Sequence, residues 1–455
     1  MVQEGGLVVS LRVSHIKKEV EERCFSKLSV LFVFTLFVLP QYFGFQIAGF
    51  DMTAQRIVMV ILLLFIMGDQ RRWLGFIEVI KTCKFTPYII AFMAVLLYTA
   101  TYRFNVNTIF YSFIEFICFY LLIYIIKDVF GIESFIKLIL QFSFLLCIQG
   151  LIEYGLGYTL FKYLSTLPAL YTGSFIRSGS YRIMGPCNHA LGYGLLLLTV
   201  VPIACIDIKN NAINILENKL LLLLLIINIF LTGSRSTQAL LCLELFLLLL
   251  NSNKYNAKKT VFYIFGFISG VTLFVIIFYN TPFARYIMMQ VASIYDELAG
   301  TEYAVRFGAE VNRLQESSDY RKMLPYIFTL NWLNPLVGRG STYVMNVKIG
   351  STYIQSIDNF YVAQYIRFAY PGLVTYVVFL FNVLKSMYQT SKKYKSGIVK
   401  CMFIGSLCYF INLWWLDTLM TLKYVYILFA IFYVIYKEVN KEKINITIEK
   451  SRYFR

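Results

Sequence analysis

The sequence predicts an all-α, polytopic integral membrane protein of about twelve transmembrane helices, and three observations carry that expectation. Of its 455 residues, 58% are hydrophobic, 18% aromatic and only 15% charged, where a soluble domain carries about 25% charge. Apolar runs approaching the ~20 residues that a bilayer crossing needs recur along the whole chain. The formal charge of +17 is spread as Lys and Arg punctuating those runs, not gathered in one patch, so the chain reads as a partner of membrane lipids and not of nucleic acid. A soluble globular enzyme, a disordered chain, a coiled coil and a disulfide scaffold are excluded on the same grounds. The nine Cys lie mostly inside apolar runs without CxxC spacing, so no metal site and no disulfide framework is expected.

The whole chain, residues 1–455, reads as a single polytopic domain with spans near 28–48, 54–68, 86–102, 108–126, 137–155, 188–206, 219–233, 237–251, 260–279, 359–384, 399–417 and 421–436. The stretch 54–68 and the pair 219–233 and 237–251 are short for a span, which implies tilt, local thinning or a re-entrant path. No cleavable leader is expected, because residues 1–27 are polar and of mixed charge and the first apolar run is long enough to stay. Placing the long basic clusters inside puts both tails, 1–27 and 437–455, in the cytoplasm. Two sizeable segments then fall on the outer, periplasmic face: a first loop, 156–187, and a large helix-containing loop, 280–358.

That outer half holds eleven of the seventeen Arg but only four of the twenty-five Lys. Sorting by charge alone depletes both, so the guanidinium itself is being kept. It is planar, permanently charged and able to grip phosphate oxygens in bidentate fashion. A ligand with phosphates and a lipid tail follows. The competing reading pairs these Arg with local carboxylates: Arg306, Glu310 and Arg313 stand at i, i+4 and i+7, as an exposed ion-pair ladder on a helix would.

Three constellations stand out. Thr232-Gly233-Ser234-Arg235-Ser236 is a small polar hinge between two very apolar runs, and an Arg at that depth calls for a polar cavity or a partner such as Glu244 or Glu115. In Tyr181-Arg182-Ile183-Met184-Gly185-Pro186-Cys187-Asn188-His189, Gly-Pro forces a turn. Asn188 and His189 then open a span at its amino end, where the dipole favours anions. Arg182 suits a phosphate, and His189 is either a packing element or a catalyst. The third runs from Asn334-Pro335-Leu336-Val337-Gly338-Arg339-Gly340 through Asp358-Asn359-Phe360-Tyr361 to Pro371-Gly372, where a kink is expected. Asp358 either takes the proton of an attacking hydroxyl or caps the following helix.

In this order and spacing the three constellations resemble the O-antigen polymerase and O-antigen ligase superfamily of bacterial envelope glycosyltransferases, over roughly residues 150–375. The resemblance rests on Arg182-x-x-Gly185, the Thr-Gly-Ser-Arg-Ser hinge, Arg321 about a dozen residues before the Asn-Pro-Leu-x-Gly-x-Gly run, and Asp-Asn-x-Tyr closing the large loop. It implies a GT-C-like architecture in the cell inner membrane and metal-free, cofactor-free transfer at the periplasmic face. Donor and acceptor would be undecaprenyl pyrophosphate-linked glycans, with a chain-length regulator protein as partner. Arg182 and Arg235 would hold the pyrophosphate, with Arg321, Arg339 and Arg313 as further basic contacts, and Asp358, His189 and Arg235 as the catalytic set. Asn359 and Tyr361 would face the substrate. Ligases of this superfamily present His-Asn where Asp358-Asn359 stands, which favours a repeat-unit polymerase over transfer to lipid A core; a lipid-linked oligosaccharide flippase is the alternative from another class.

Overall fold

The structure is a computed structural model that describes residues 2–47, 49–173, 175–177, 180–299, 301–309, 320–321, 323–349, 352–354 and 356–453. The chain is about 73% helical, with fourteen α-helices among the described residues. They are α1 (Val2–Phe37), α2 (Ala54–Met67), α3 (Gln70–Thr82), α4 (Thr86–Arg103), α5 (Asn107–Ile125), α6 (Gly131–Leu156) and α7 (Ala190–Ala204). There follow α8 (Lys219–Leu231), α9 (Arg235–Leu250), α10 (Lys254–Ile277), α11 (Pro282–Ala299), α12 (Phe360–Tyr394), α13 (Gly397–Asn412) and α14 (Leu422–Tyr453). Four antiparallel two-stranded hairpins decorate the connections: β1 (Gly44–Ile47) with β2 (Phe50–Thr53), β3 (Phe175–Arg177) with β4 (Ser180–Arg182), β5 (Ile206–Asp207) with β6 (Ala212–Ile213), and β7 (Val347–Ile349) with β8 (Thr352–Ile354).

By length and composition three helical stretches are able to cross a membrane among the described residues: Asn107–Leu156, α10 and α12. α3 and α4 qualify only as a pair bent by 87°, while α2, α7, α8 and α13 are shorter apolar helices. The stretch Asn107–Leu156 is not one rod. A π-turn over Ile126–Phe130 ends at Gly131, whose φ of 70° and ψ of 163° reverse the chain, so α5 and α6 are separate helices. α6 begins at Gly131, earlier than the expected span at 137.

Segment 69–85, read from sequence as a basic loop, is an amphipathic helix. Asp69 caps it by accepting from the Arg71 N–H at 2.8 Å. Arg72 is buried against the rings of Phe25 and Phe65, 4.8 and 5.0 Å from their centroids, and pairs with Glu22 at 3.3 Å. A cationic stem that long covers apolar surface while its head finds a carboxylate.

The two ends of the bundle are chemically distinct. At one end Lys437 meets Glu78 (3.2 Å), Lys84 meets Ser386 (3.1 Å) and Ser396 meets Asn211 (2.8 Å). The other end gathers all three constellations. Its hub is Gln41, whose side chain accepts from the Asn188 N–H at 3.1 Å and donates to the Met420 carbonyl at 3.3 Å. Between the ends, aromatic rings from α4, α5, α12 and α14 interlock, as in Phe92–Tyr376 (5.1 Å), Phe116–Phe379 (5.9 Å) and Phe116–Tyr426 (6.0 Å).

The kink expected at Pro371-Gly372 is present, centred on Ala369 at φ 56°. Pro371 has no N–H, so the Arg367 carbonyl loses its helical partner. It accepts instead from the Gly340 N–H at 2.9 Å, and the Ile366 carbonyl accepts from the Arg339 N–H at 2.8 Å. The Asn334–Gly340 run is thereby docked into the break in α12. Gly338 packs so closely that a Cβ there would lie 2.1 Å from the Arg367 carbonyl oxygen. Gly338→Ala is therefore expected to eject this loop, seen as a lowered midpoint of thermal unfolding and rapid proteolysis between 320 and 359; unchanged values would refute the docking role.

Candidate active site at one end of the bundle

Two clusters form the site. The first is built on Glu153, near the end of α6. Its carboxylate accepts from the Met184 N–H (2.7 Å), the Gly185 N–H (3.1 Å), the Tyr181 hydroxyl (3.0 Å) and the Gln149 amide (3.1 Å). This fixes the turn after β4, where Gly185 sits at φ 51° against the Tyr193 ring and a Cβ would be 2.7 Å from that ring. The anchored turn places Arg182, which is largely buried, over the Thr-Gly-Ser-Arg hinge. Its Nε donates to the Thr232 carbonyl at 2.6 Å, and the Ile183 N–H donates to the Leu231 carbonyl at 3.2 Å. Gly233, at φ 60°, lets the guanidinium pass: a Cβ there would be 3.0 Å from Arg182 Nε.

Arg235 is the first residue of α9, and the Ser234 side chain at the cap position before it makes no capping hydrogen bond. The hinge is held from below by Ser234–Thr237 (2.8 Å) and Asn412–Thr237 (3.0 Å). From above, Tyr286 donates to the Phe230 carbonyl at 3.1 Å. Among the described residues Arg235 acts electrostatically on Asp296 of α11, and it is not among the groups acting on Glu244 or Glu115. Neither oxygen of the buried Glu244 has a hydrogen-bond partner among the described residues.

Burial pushes the Asp296 carboxyl up. Hydrogen bonds from the Thr301 hydroxyl (2.6 Å) and the Ala304 (2.7 Å) and Tyr303 (2.8 Å) N–H groups outweigh it, with Arg235 nearby, and hold the group below the usual carboxylate range. A carboxyl depressed in the folded state stabilises above its unfolded pKa of about 3.9, and that contribution fades as pH falls through the folded value. Asp296→Asn is expected to lower the unfolding midpoint at pH 7, with a difference from the parent that shrinks steadily as pH falls below about 3.9, a pattern that pH-resolved thermal melts would show or refute.

The second cluster surrounds Asp358. Asn359, not Asp358, caps α12: its Oδ1 accepts from the Val362 N–H at 3.1 Å and its amide donates to the Trp414 carbonyl at 2.9 Å. Asp358 is thereby spared the capping role and, among the described residues, accepts from the Ser356 hydroxyl at 3.0 Å. Tyr320 lies within electrostatic reach of both Asp358 and Arg321. Burial, and then the Asp358 carboxylate, raise the Tyr320 phenol. The Arg321 Nε is buried without a hydrogen-bond partner among the described residues. The end of α13 joins the two clusters, since Asn412 reaches Thr237 in the first and Trp414 reaches Asn359 in the second.

The remaining residues singled out from sequence have structural assignments. His189 caps α7, its Nδ1 accepting from the Leu191 N–H at 3.0 Å while the ring packs 4.0 Å from that of Phe175. Arg339 donates to the Trp332 carbonyl at 3.0 Å and lies between the rings of Trp332 and Tyr343. Tyr361 spends its hydroxyl on the Phe410 carbonyl at 2.9 Å. Arg313 and Glu310, and with them the ladder from Arg306, lie outside the described residues.

Sequence reasoning missed Glu153 and Asp296. Glu153 left a signal, because a carboxylate inside an apolar run is expensive and asks for donors. Among the described residues no three His, Cys, Asp or Glu come together as a metal site. No protein-family model matches the chain, and no curated protein is significantly similar to it.

Proposed function

We propose that this chain is a bacterial inner-membrane glycosyltransferase that joins undecaprenyl pyrophosphate-linked repeat units into O-antigen or capsular polysaccharide at the periplasmic face. The observation that carries the reading is Arg182, locked onto the hinge from which Arg235 starts α9. Two Arg residues brought to the amino terminus of one helix suit a diphosphate.

Twelve spans with both termini cytoplasmic and a GT-C-like arrangement are part of the proposal. The position of the Lys84 and Lys437 contacts at one end of the bundle and of the three constellations at the other supports that topology.

In the reaction, a hydroxyl of the acceptor's terminal sugar attacks the anomeric carbon of the donor saccharide. The new C–O bond forms as the bond to the diphosphate breaks. Arg182 and Arg235 stabilise the charge that accumulates on the leaving diphosphate. Asp358, uncommitted to helix capping, takes the hydroxyl proton. Arg321 contributes a further basic contact.

Purified protein mixed with lipid-linked repeat units in detergent is expected to lengthen the glycan, a setting in which transport has no meaning. Absence of lengthening together with movement of the substrate across vesicles would establish a flippase instead. Transfer to lipid A core without lengthening would establish a ligase. Asp358→Asn is expected to slow lengthening by about 10²–10⁴-fold while leaving the unfolding midpoint near that of the parent; an unimpaired rate would remove Asp358 as the base.

A further inference from the structure

A second charged feature lies at the same end of the bundle, apart from the two clusters above. A cavity of about 30 Å³, enough for one or two water-sized groups, is lined by Gln41, Gln55 and Arg56, by Glu115 of α5 and by Lys423 of α14. Arg56 and Lys423 are each only 8% exposed. Lys423 donates to the Gln55 Oε1 at 2.8 Å, and Arg56 donates to the Asp51 carbonyl and lies 4.9 Å from the centre of the Tyr111 ring. Among the described residues no hydrogen bond or ion pair is made to the Glu115 carboxylate, although Arg56 and Lys423 act on it electrostatically.

Three ionisable side chains therefore face one small void without closing into direct pairs. Selection for folding alone would favour contact pairs or apolar replacements, because burying charge that is not hydrogen-bonded is costly. The residue types specify the ligand. A carboxylate in the wall repels phosphate, and two cations repel a metal ion or an amine. A neutral hydroxyl fits both, donating to Glu115 while accepting from Lys423 and Arg56. Tyr111, one turn before Glu115 on the same face of α5, holds the Arg56 guanidinium over its ring at the cavity wall.

We infer that this cavity is a saccharide subsite in which a sugar hydroxyl or hydroxymethyl group inserts between Glu115, Arg56 and Lys423. This deepens the function proposed above by giving the acceptor glycan a place separate from the diphosphate. Gln41, which lines the cavity and also holds the Asn188 backbone, ties it to the turn that carries Arg182.

The inference is tested with the full-length protein in detergent and a panel of free hexoses, 6-deoxyhexoses and N-acetylhexosamines, binding being read by saturation-transfer NMR. At least one sugar is expected to bind the parent protein, and Glu115→Gln is expected to weaken it at least about tenfold. Lys423→Met, a second variant should Glu115→Gln fold poorly, is expected to weaken it as well, whereas Arg235→Lys is expected to bind the sugar as the parent does. The inference is overturned if no sugar in the panel binds, if binding survives both cavity variants, or if inorganic phosphate binds instead and depends on Lys423. Sugar binding that follows this pattern in a protein that never lengthens glycans would sink the polymerase reading and leave the subsite standing.

Discussion

Arg235→Lys is expected to lose most glycan-lengthening activity, by about 10²–10³-fold in rate, although the charge is kept. An ammonium is a point charge on a flexible stem and cannot reproduce the planar fork that meets two phosphate oxygens at once. The position leaves little room for compensation. Arg235 opens α9 directly after Gly233 and Ser234, and that turn is fixed by Arg182, Thr237 and Asn412. A shorter donor set at this point has no path by which to move closer. Because Asp296 lies nearby and interacts electrostatically with any cation at 235, the Lys variant is expected to fold normally. Rate and unfolding midpoint measured on the same preparation separate the two effects, and a variant that lengthens glycans at the parent rate would remove Arg235 from the site.

Glu153→Ala is expected to be the most destabilising single truncation at this end of the bundle. It strands four donors: two backbone N–H groups, the Tyr181 hydroxyl and the Gln149 amide. Each buried donor left without an acceptor costs about 1–3 kcal/mol, partly recovered if water enters. A net loss of about 3–5 kcal/mol follows, near the top of the range for single substitutions. Glu153→Gln keeps one acceptor oxygen and is expected to lose roughly half as much. Thermal melts of the three proteins check the order, and an Ala variant as stable as the parent would show that Glu153 does not hold the Arg182 turn. Activity is expected to fall with stability here, because Arg182 reaches Thr232 only while that turn is closed.

Much of this was legible in the chain, for identifiable reasons. Apolar runs located several helices closely, since lipid and core impose the same demand on them: α4, α9 and α13 start within two residues of the expected points, whereas the span expected at 28–48 ends at Phe37 and gives way to the β1–β2 hairpin. Pro371-Gly372 announced the break in α12, because a missing N–H is a local fact. Its use as a dock for Gly338 and Gly340 was not legible, since it joins residues about 30 positions apart through backbone atoms that carry no side-chain signature. The amphipathic α3 was hidden by its charge, which reads equally well as loop. Cap assignment between Asp358 and Asn359 turned on a single residue of register, below what periodicity resolves. The subsite of Glu115, Arg56 and Lys423 draws on three distant elements, so no spacing in the sequence could join them.

The claim on which the rest depends is that Arg182 and Arg235 together hold a lipid diphosphate. Binding of saccharide-free undecaprenyl pyrophosphate to the reconstituted protein measures this directly, with undecaprenyl monophosphate as the comparison. The diphosphate is expected to bind more tightly than the monophosphate, with that preference lost in Arg182→Ala and in Arg235→Lys. Equal affinity for the two lipids, or a preference that survives both substitutions, would contradict the account.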